Sequence, residues 1–243
     1  MPSFNYGNTT IDYSLHYQAH KKDVSIAVEW LDGVQVTAPS DISTEKLHDI
    51  LRKKAPWMIE KWYEFNEITV PACPKEFVSG EKFPYLGRQY RLKVYKESDR
   101  SRADLAFQKG QFLAYIPETS TNNEKNDQLY ALFKNWYIRY GQRKVNARAK
   151  LYIQKLNVSP PANLTLKEQQ LRWGSCTKEG AIYLNWKIVM APVSVLDYVI
   201  VHELSHLKYA DHSKNFWNTV HSILPDYEKR KEWLRVNGPT LHL

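Results

Sequence analysis

Two histidines four residues apart, with a glutamate directly after the first, constrain this chain more than any other feature: His202-Glu203-Leu204-Ser205-His206. On a helix, positions i and i+4 share a face, so both imidazoles can reach one metal ion. Glu203 then sits where it can take a proton from a metal-bound water. The segment predicts a helix that carries a zinc hydrolase site. The plainer alternative is a pair of surface or capping histidines.

The flanking residues define that helix further. Ser194 followed by Asp197 matches a capping box, which predicts a helix from about Val195 to Tyr209. Leu196, Ile200, Leu204 and Leu207 form an inward stripe, with His202 and His206 on a different side. A catalytic zinc takes three protein ligands and keeps one position for water. His212 is the leading third ligand, brought back by a turn at Tyr209-Ala210-Asp211. His221, Glu228 and Glu232 remain alternatives, since a carboxylate from a later helix is chemically reasonable. Asp211 either orients a ligand histidine or serves the turn. Ser213 caps a further helix bearing Phe216, Trp217, Val220 and Leu224, with Trp217 in the core.

The rest of the chain divides into a β-rich first half and a helix-rich second half. Val24, Ile26 and Val28, then Val34 and Val36, alternate with polar neighbours around a turn at Asp32-Gly33, ending near Pro39-Ser40-Asp41. A helix is predicted from about Ser43, interrupted or restarted at Pro56. Pro71 to Pro74 is a breaker-rich connection. Phe83 to Leu86 and Tyr90 to Val94 flank a turn at Gly87-Arg88, and Phe112 to Ile116 is a further strand. Thr119 to Asn126 is polar and reads as a linker, after which a helix runs from about Asp127 to Leu156 and stops before Pro160-Pro161. Leu164 to Leu166, Gln170 to Trp173 and Ile182 to Trp186 read as strands, with a turn at Glu179-Gly180. No internal repeat is evident in the sequence. The predicted organisation is a β-rich region over 1–125 and a metal-binding catalytic domain over 126–243.

Composition bounds the partners. Hydrophobic residues make up 43%, enough for a packed core. The net charge of +8 permits an anionic partner such as nucleic acid, nucleotide or acidic peptide, although the basic residues are scattered. Two cysteines, Cys73 and Cys176, are too few for a disulfide framework or a cysteine zinc site and suit a reducing cytoplasm. Residues Met1 to Tyr13 lack a signal-peptide core, and no stretch approaches the ~20 apolar residues of a membrane span.

Leu171-Arg172-Trp173-Gly174-Ser175-Cys176, Ile182 to Trp186, Val199 to His206, Asp211-His212-Ser213 and Phe216-Trp217 together resemble the YgjP-like metallopeptidase family, a relative of the SprT-like zincins. Pro225-Asp226-Tyr227 and Trp233-Leu234 resemble its C-terminal end, and Gly80 with Tyr85-Leu86-Gly87 resembles its N-terminal region more loosely. The resemblance implies an α+β fold with a zincin-like core, the H-E-x-x-H helix packed on a small sheet, behind a β-rich N-terminal region. It places metal ligands on His202, His206 and His212 and the general base on Glu203. Tyr209 stands where the longer metzincin motif has glycine, which separates this chain from true metzincins.

The expected chemistry is peptide hydrolysis with one zinc per chain. Arg172, Tyr183 and Tyr209 are candidates for stabilising the oxyanion, and Arg172 with Trp173 for shaping the substrate edge. An extended peptide is expected to pair with an exposed strand at Gln170 to Trp173 or Ile182 to Trp186. Three rivals stand beside it. One is a metal-dependent nucleotide pyrophosphohydrolase or phosphohydrolase, an activity with which the family name has been associated. The second is a SprT-like DNA-associated protease. The third is a binding module with a structural zinc. No P-loop or carboxylate-rich magnesium cluster supports the first, and nothing beyond charge supports the second.

Overall fold

Two successive stretches of the chain fold the same way. The computed structural model describes residues 2–243 except 20, 22, 30–32, 66–74 and 170. In the first stretch, strands β1 (Ser3–Tyr6), β2 (Thr9–Gln18), β3 (Ser25–Glu29) and β4 (Gly33–Pro39) form a sheet of order β1-β2-β4-β3, followed by helix α1 (Thr44–Phe65). In the second, β5 (Lys82–Tyr85), β6 (Arg88–Glu97), β7 (Asp104–Gln108) and β8 (Gln111–Pro117) form a sheet of order β5-β6-β8-β7, followed by α2 (Asn122–Leu156). The pairing senses agree throughout: the outer pairs are antiparallel, and β2 with β4, like β6 with β8, is parallel. Even the registers agree, from Tyr13↔Val34 to Gln18↔Pro39 in one unit and from Leu92↔Phe112 to Glu97↔Pro117 in the other.

The chain therefore contains an internal repeat that its sequence does not advertise. Corresponding core positions keep burial throughout and residue identity only in part. Phe4 answers to Phe83, Tyr13 to Leu92, Val34 to Phe112 and Leu51 to Leu129, and all of them are buried. Burial constrains size and polarity, so different apolar residues satisfy it equally well.

Several local expectations are corrected. Helix α1 runs unbroken through Pro56, with Leu47, Leu51, Ala55 and Met58 buried along its inner face. The polar Thr119 to Asn126 segment is not a linker but the start of α2. Thr121 Oγ1 accepts from the Glu124 amide (3.3 Å), and the Glu124 carboxylate accepts from the Thr121 amide (2.9 Å), a complete capping box. A division after residue 125 thus falls in the first turn of α2, which ends on the left-handed residue Asn157. The Pro71 to Pro74 connection, Asp32 of the first turn and Gln170 lie outside the described residues.

The hairpin turn of the second unit is Leu86-Gly87, one residue earlier than expected, because Arg88 already pairs with Tyr85. Both turn residues have positive φ (51° and 78°), as a tight primed turn requires. Leu86 tolerates this because the tip is pinned. Its amide donates to the Val189 carbonyl (2.8 Å), and a β-carbon on Gly87 would lie 2.9 Å from Pro192 Cα. The second unit thereby docks against the residues that begin the histidine helix.

That helix, α3 (Val193–Ser205), follows a third sheet of β9 (Asn163–Lys167), β10 (Gly174–Cys176) and β11 (Ala181–Asn185), ordered β10-β11-β9, and a short 3-10 turn at Trp186–Met190. Residues Leu171 to Trp173 are not strand. The Asn185 side chain donates to the carbonyls of Gln169 (2.7 Å) and Arg172 (3.2 Å), which occupies groups a ladder would need. Helices α4 (Lys214–Ile223) and α5 (Tyr227–Asn237) follow, and then a short 3-10 turn at Gly238–Thr240.

Helix α3 also differs from expectation. It starts after Pro192 with no side-chain cap and ends at Ser205 rather than Tyr209. Asp197 is no cap: it is buried and accepts two bonds from the Arg148 guanidinium on α2 (2.6 and 2.5 Å). Every residue from Val195 to Ser205 is buried, so Leu196, Ile200 and Leu204 are one side of a helix enclosed on all sides, whereas Leu207 lies beyond its end and is half-buried. One apolar cluster holds the second unit, α2, the third sheet and α3 to α5 together, and a separate one holds the first unit with Leu171. Among the described residues, no helix is long and apolar enough to cross a membrane.

Candidate metal centre

Three imidazoles meet at the C-terminal end of α3. His202 lies within the helix, and His206 is its C-terminal cap. The chain then turns so that His212, just before α4, comes back against both. Nε2 of His202 lies 3.3 Å from Nε2 of His206 and 3.1 Å from Nε2 of His212. One ligand atom from each histidine falls within 4.8 Å of the others. Four nitrogen or oxygen donors set tetrahedrally around zinc at ~2.0–2.1 Å would stand about 3.3 Å apart. The donor set therefore fits a zinc-sized cation, and the three histidines could hold one.

The surroundings aim the rings. His206 Nδ1 lies 3.0 Å from the Tyr209 carbonyl. A carbonyl only accepts, so this contact makes Nδ1 the protonated nitrogen and leaves Nε2 with the lone pair a metal needs. His212 stacks on Trp217 with ring centroids 5.5 Å apart, and Phe216 packs within 4.6–4.9 Å of all three imidazoles. Trp217 in turn stacks on Tyr227 at 5.3 Å. The role of Phe216 was not visible in the sequence, where it reads only as an apolar helix position.

The other ligand candidates lie elsewhere. Glu232 is bound to Arg235 on the exposed face of α5 (2.8 and 2.9 Å). Glu228 accepts from the Tyr227 hydroxyl (3.4 Å), and the His221 ring faces Tyr227 at 6.1 Å. Asp211 takes the turn role, its carboxylate accepting from the Ser213 amide (3.3 Å). Ser213 precedes α4 but makes no side-chain cap bond.

Glu203 is fully buried, and β10 runs directly over it. A β-carbon on Gly174 would lie 2.6 Å from the Glu203 carboxyl carbon, so any other residue there must displace the carboxylate. Cys176, two residues on, faces the same way: burial and then the Glu203 charge push its thiol up to about 12. At neutral pH it is a neutral thiol and neither a nucleophile nor a competing ligand.

The four substrate-edge candidates separate. Tyr209 reaches the site through its carbonyl. Tyr183 pairs with Ser175, and strand alternation puts both on the face opposite Gly174, Cys176 and Glu203. The Lys167 ammonium covers the Tyr183 ring at 4.2 Å. Arg172 is buried and turns toward the first unit, with Nη1 3.5 Å from Ser14 Oγ. Trp173 is buried near Gly238, where a β-carbon would lie 2.8 Å from its ring. Of the two segments expected to offer a free edge, β11 is the middle strand, and β10 takes the edge position instead.

A cleft of about 660 Å3 opens beside His206. One wall is Ser175 to Gly180 with Leu207 and Ala210, and the other is β2 from Tyr13 to His16 with Pro2 and Gln35. His16 lies in that second wall, its imidazole pKa lowered by burial and by the nearby Lys178 charge.

The model of the YgjP-like, metallopeptidase domain family matches residues 22–237. No curated protein and no solved structure gives a significant match.

Proposed function

The chain belongs to the YgjP-like metallopeptidase-domain family, and from that premise we propose that it hydrolyses peptide bonds, with one zinc held by His202, His206 and His212 and Glu203 as general base. The observation that carries this reading is the meeting of three imidazole nitrogens beside a buried glutamate from the same helix.

A zinc ion bound there would supply Lewis acidity, making water acidic near neutral pH and polarising a carbonyl. The remaining chemistry belongs to the chain. Glu203 takes one proton as water adds to the carbonyl carbon. The C–N bond then breaks, and Glu203 returns that proton to the departing amine. Gly174 leaves the carboxylate room to serve both steps. His206 is held in the useful tautomer by the Tyr209 carbonyl. The buried walls keep bulk water from competing for the carboxylate.

The cleft's charge favours a peptide over a polyphosphate. Among the described residues that line it, Lys178 is the one lysine or arginine, and Glu179 lies beside it. A nucleoside triphosphate would need several cations where this wall offers a near-neutral surface.

Metal analysis should give about one zinc per chain, and the His202→Ala/His206→Ala double variant should lose it. Wild type and Glu203→Gln are then incubated with unfolded protein and, separately, with nucleoside triphosphates. Proteolysis by wild type alone supports the reading. Triphosphate hydrolysis without proteolysis contradicts it.

A further inference from the structure

Strand β2 is covered along only half its length. Strand β1 pairs with Thr9 to Asp12, and the Tyr13 amide closes the ladder on the Pro2 carbonyl (3.1 Å). Peptide groups alternate sides along a strand. Those of Tyr13, Leu15 and Tyr17 therefore point toward the β1 side, while those of Ser14, His16 and Gln18 serve the ladder with β4. Beyond Pro2, no strand among the described residues pairs with Leu15 or Tyr17 on that side. Pro2 and Leu15 both line the cleft, so this open edge faces into it.

The repeat sharpens the point. Val94 holds the position in β6 that Leu15 holds in β2, and its amide is bonded by Ser79 Oγ (2.8 Å). The same edge is closed in the second unit and open in the first, and the open copy is the one beside the histidines.

Strand β10 presents a matching edge across the cleft. The Trp173 carbonyl and Thr177 amide bond to β11 (both 2.8 Å), so alternation sends the peptide groups of Gly174 and Cys176 to the other side. Two long side chains span the gap: Arg172 reaches Ser14, and the Lys178 ammonium stands 6.0 Å from the Tyr17 ring. Ser14 to Tyr17 thus runs in the same direction as Arg172 to Lys178. A chain lying antiparallel to one edge is antiparallel to both.

We propose that the first repeat unit is half of the substrate site. An extended polypeptide segment threads between β2 and β10, bonded by Leu15 and Tyr17 on one side and by Gly174 and Cys176 on the other. This rests on the peptidase reading and adds its substrate class: unfolded chain, long enough to complete a ladder on both edges. Backbone pairing gives affinity with little sequence preference. A folded domain cannot enter, because its backbone groups are already paired.

The test uses zinc-loaded full-length protein and a fluorescein-labelled unstructured peptide. Leu15→Pro removes the edge amide and spares the pairing with β4, where Leu15 donates nothing. It should raise KM roughly fivefold to tenfold with kcat and zinc content unchanged, the effect of losing one backbone hydrogen bond. Cleavage with unchanged KM overturns the cleft proposal alone. Because proline can unfold a strand, a benzophenone-bearing version of the peptide is also photolysed with zinc-loaded Glu203→Gln. Labels on both 13–17 and 174–178 support the proposal, and labels that spare 13–17 overturn it. A wild type that neither cleaves the peptide nor is labelled by it overturns the peptidase reading itself.

Discussion

Gly174 lies against the Glu203 carboxylate so closely that a β-carbon would stand 2.6 Å from its carboxyl carbon and 2.8 Å from its Cγ. Glu203 is fully enclosed, so it cannot swing aside without disturbing α3 or β10. Gly174→Ala should displace the carboxylate and leave the three histidines in place. Strain from one extra carbon in a packed site is about 1–3 kcal/mol. The expected outcome is a kcat at least about tenfold lower at unchanged zinc content, read by steady-state kinetics and metal analysis.

Asp197 on α3 is buried and depends on Arg148 of α2, whose guanidinium is held in its protonated form chiefly by that bond. Arg148→Met leaves a carboxylate without its charge partner inside the core. Removing one member of such a pair costs about 3–5 kcal/mol. Asp197→Asn with Arg148→Met should recover part of the loss. Chemical denaturation of the single and double variants measures both.

The Cys176 thiol, pushed up to about 12, should resist alkylation. In a Cys73→Ser background, iodoacetamide at pH 8 should label the folded chain about a thousandfold more slowly than the chain unfolded in denaturant, where a thiol titrates near 8.5. Equal rates would show that Cys176 is neither buried nor beside a negative charge.

Glu168 gives a pH signature. Burial pushes its carboxyl up, but hydrogen bonds from Lys134 (2.6 Å) and the Trp186 indole (2.9 Å) outweigh it and hold the pKa below 4.5. A group depressed on folding contributes stability above its unfolded pKa and loses it as pH falls through the folded one. Wild type should therefore melt above Glu168→Gln at pH 7, and the gap should close as pH falls through the depressed folded-state value, below the ordinary carboxylate range. Thermal scans across that range check it.

The parts of the site visible in the sequence were those with a spacing rule. His202, Glu203 and His206 follow from helical geometry, and His212 from the need for a third donor past the helix end. Gly174 stood in a recognisable motif, yet its reason is a tertiary contact with Glu203 that no local pattern encodes. The repeat was hidden because both units conserve burial at pairs such as Tyr13 and Leu92 instead of residue identity. Ser194 and Asp197 misled because a cap signature and a buried ion pair use the same residue types, and the Arg148 partner lies 49 positions away. Similarly, Thr119 to Asn126 looked like a linker because a capping box is itself polar.

The central claim is that Glu203 moves the proton in a reaction organised by the three histidines. It is tested most directly by the turnover of Glu203→Gln on an unfolded protein, measured beside wild type at equal zinc content. The amide keeps the shape of the carboxylate and removes its basicity. The account predicts a kcat lower by about 10²–10⁴ with the metal retained. Turnover equal to wild type would contradict it.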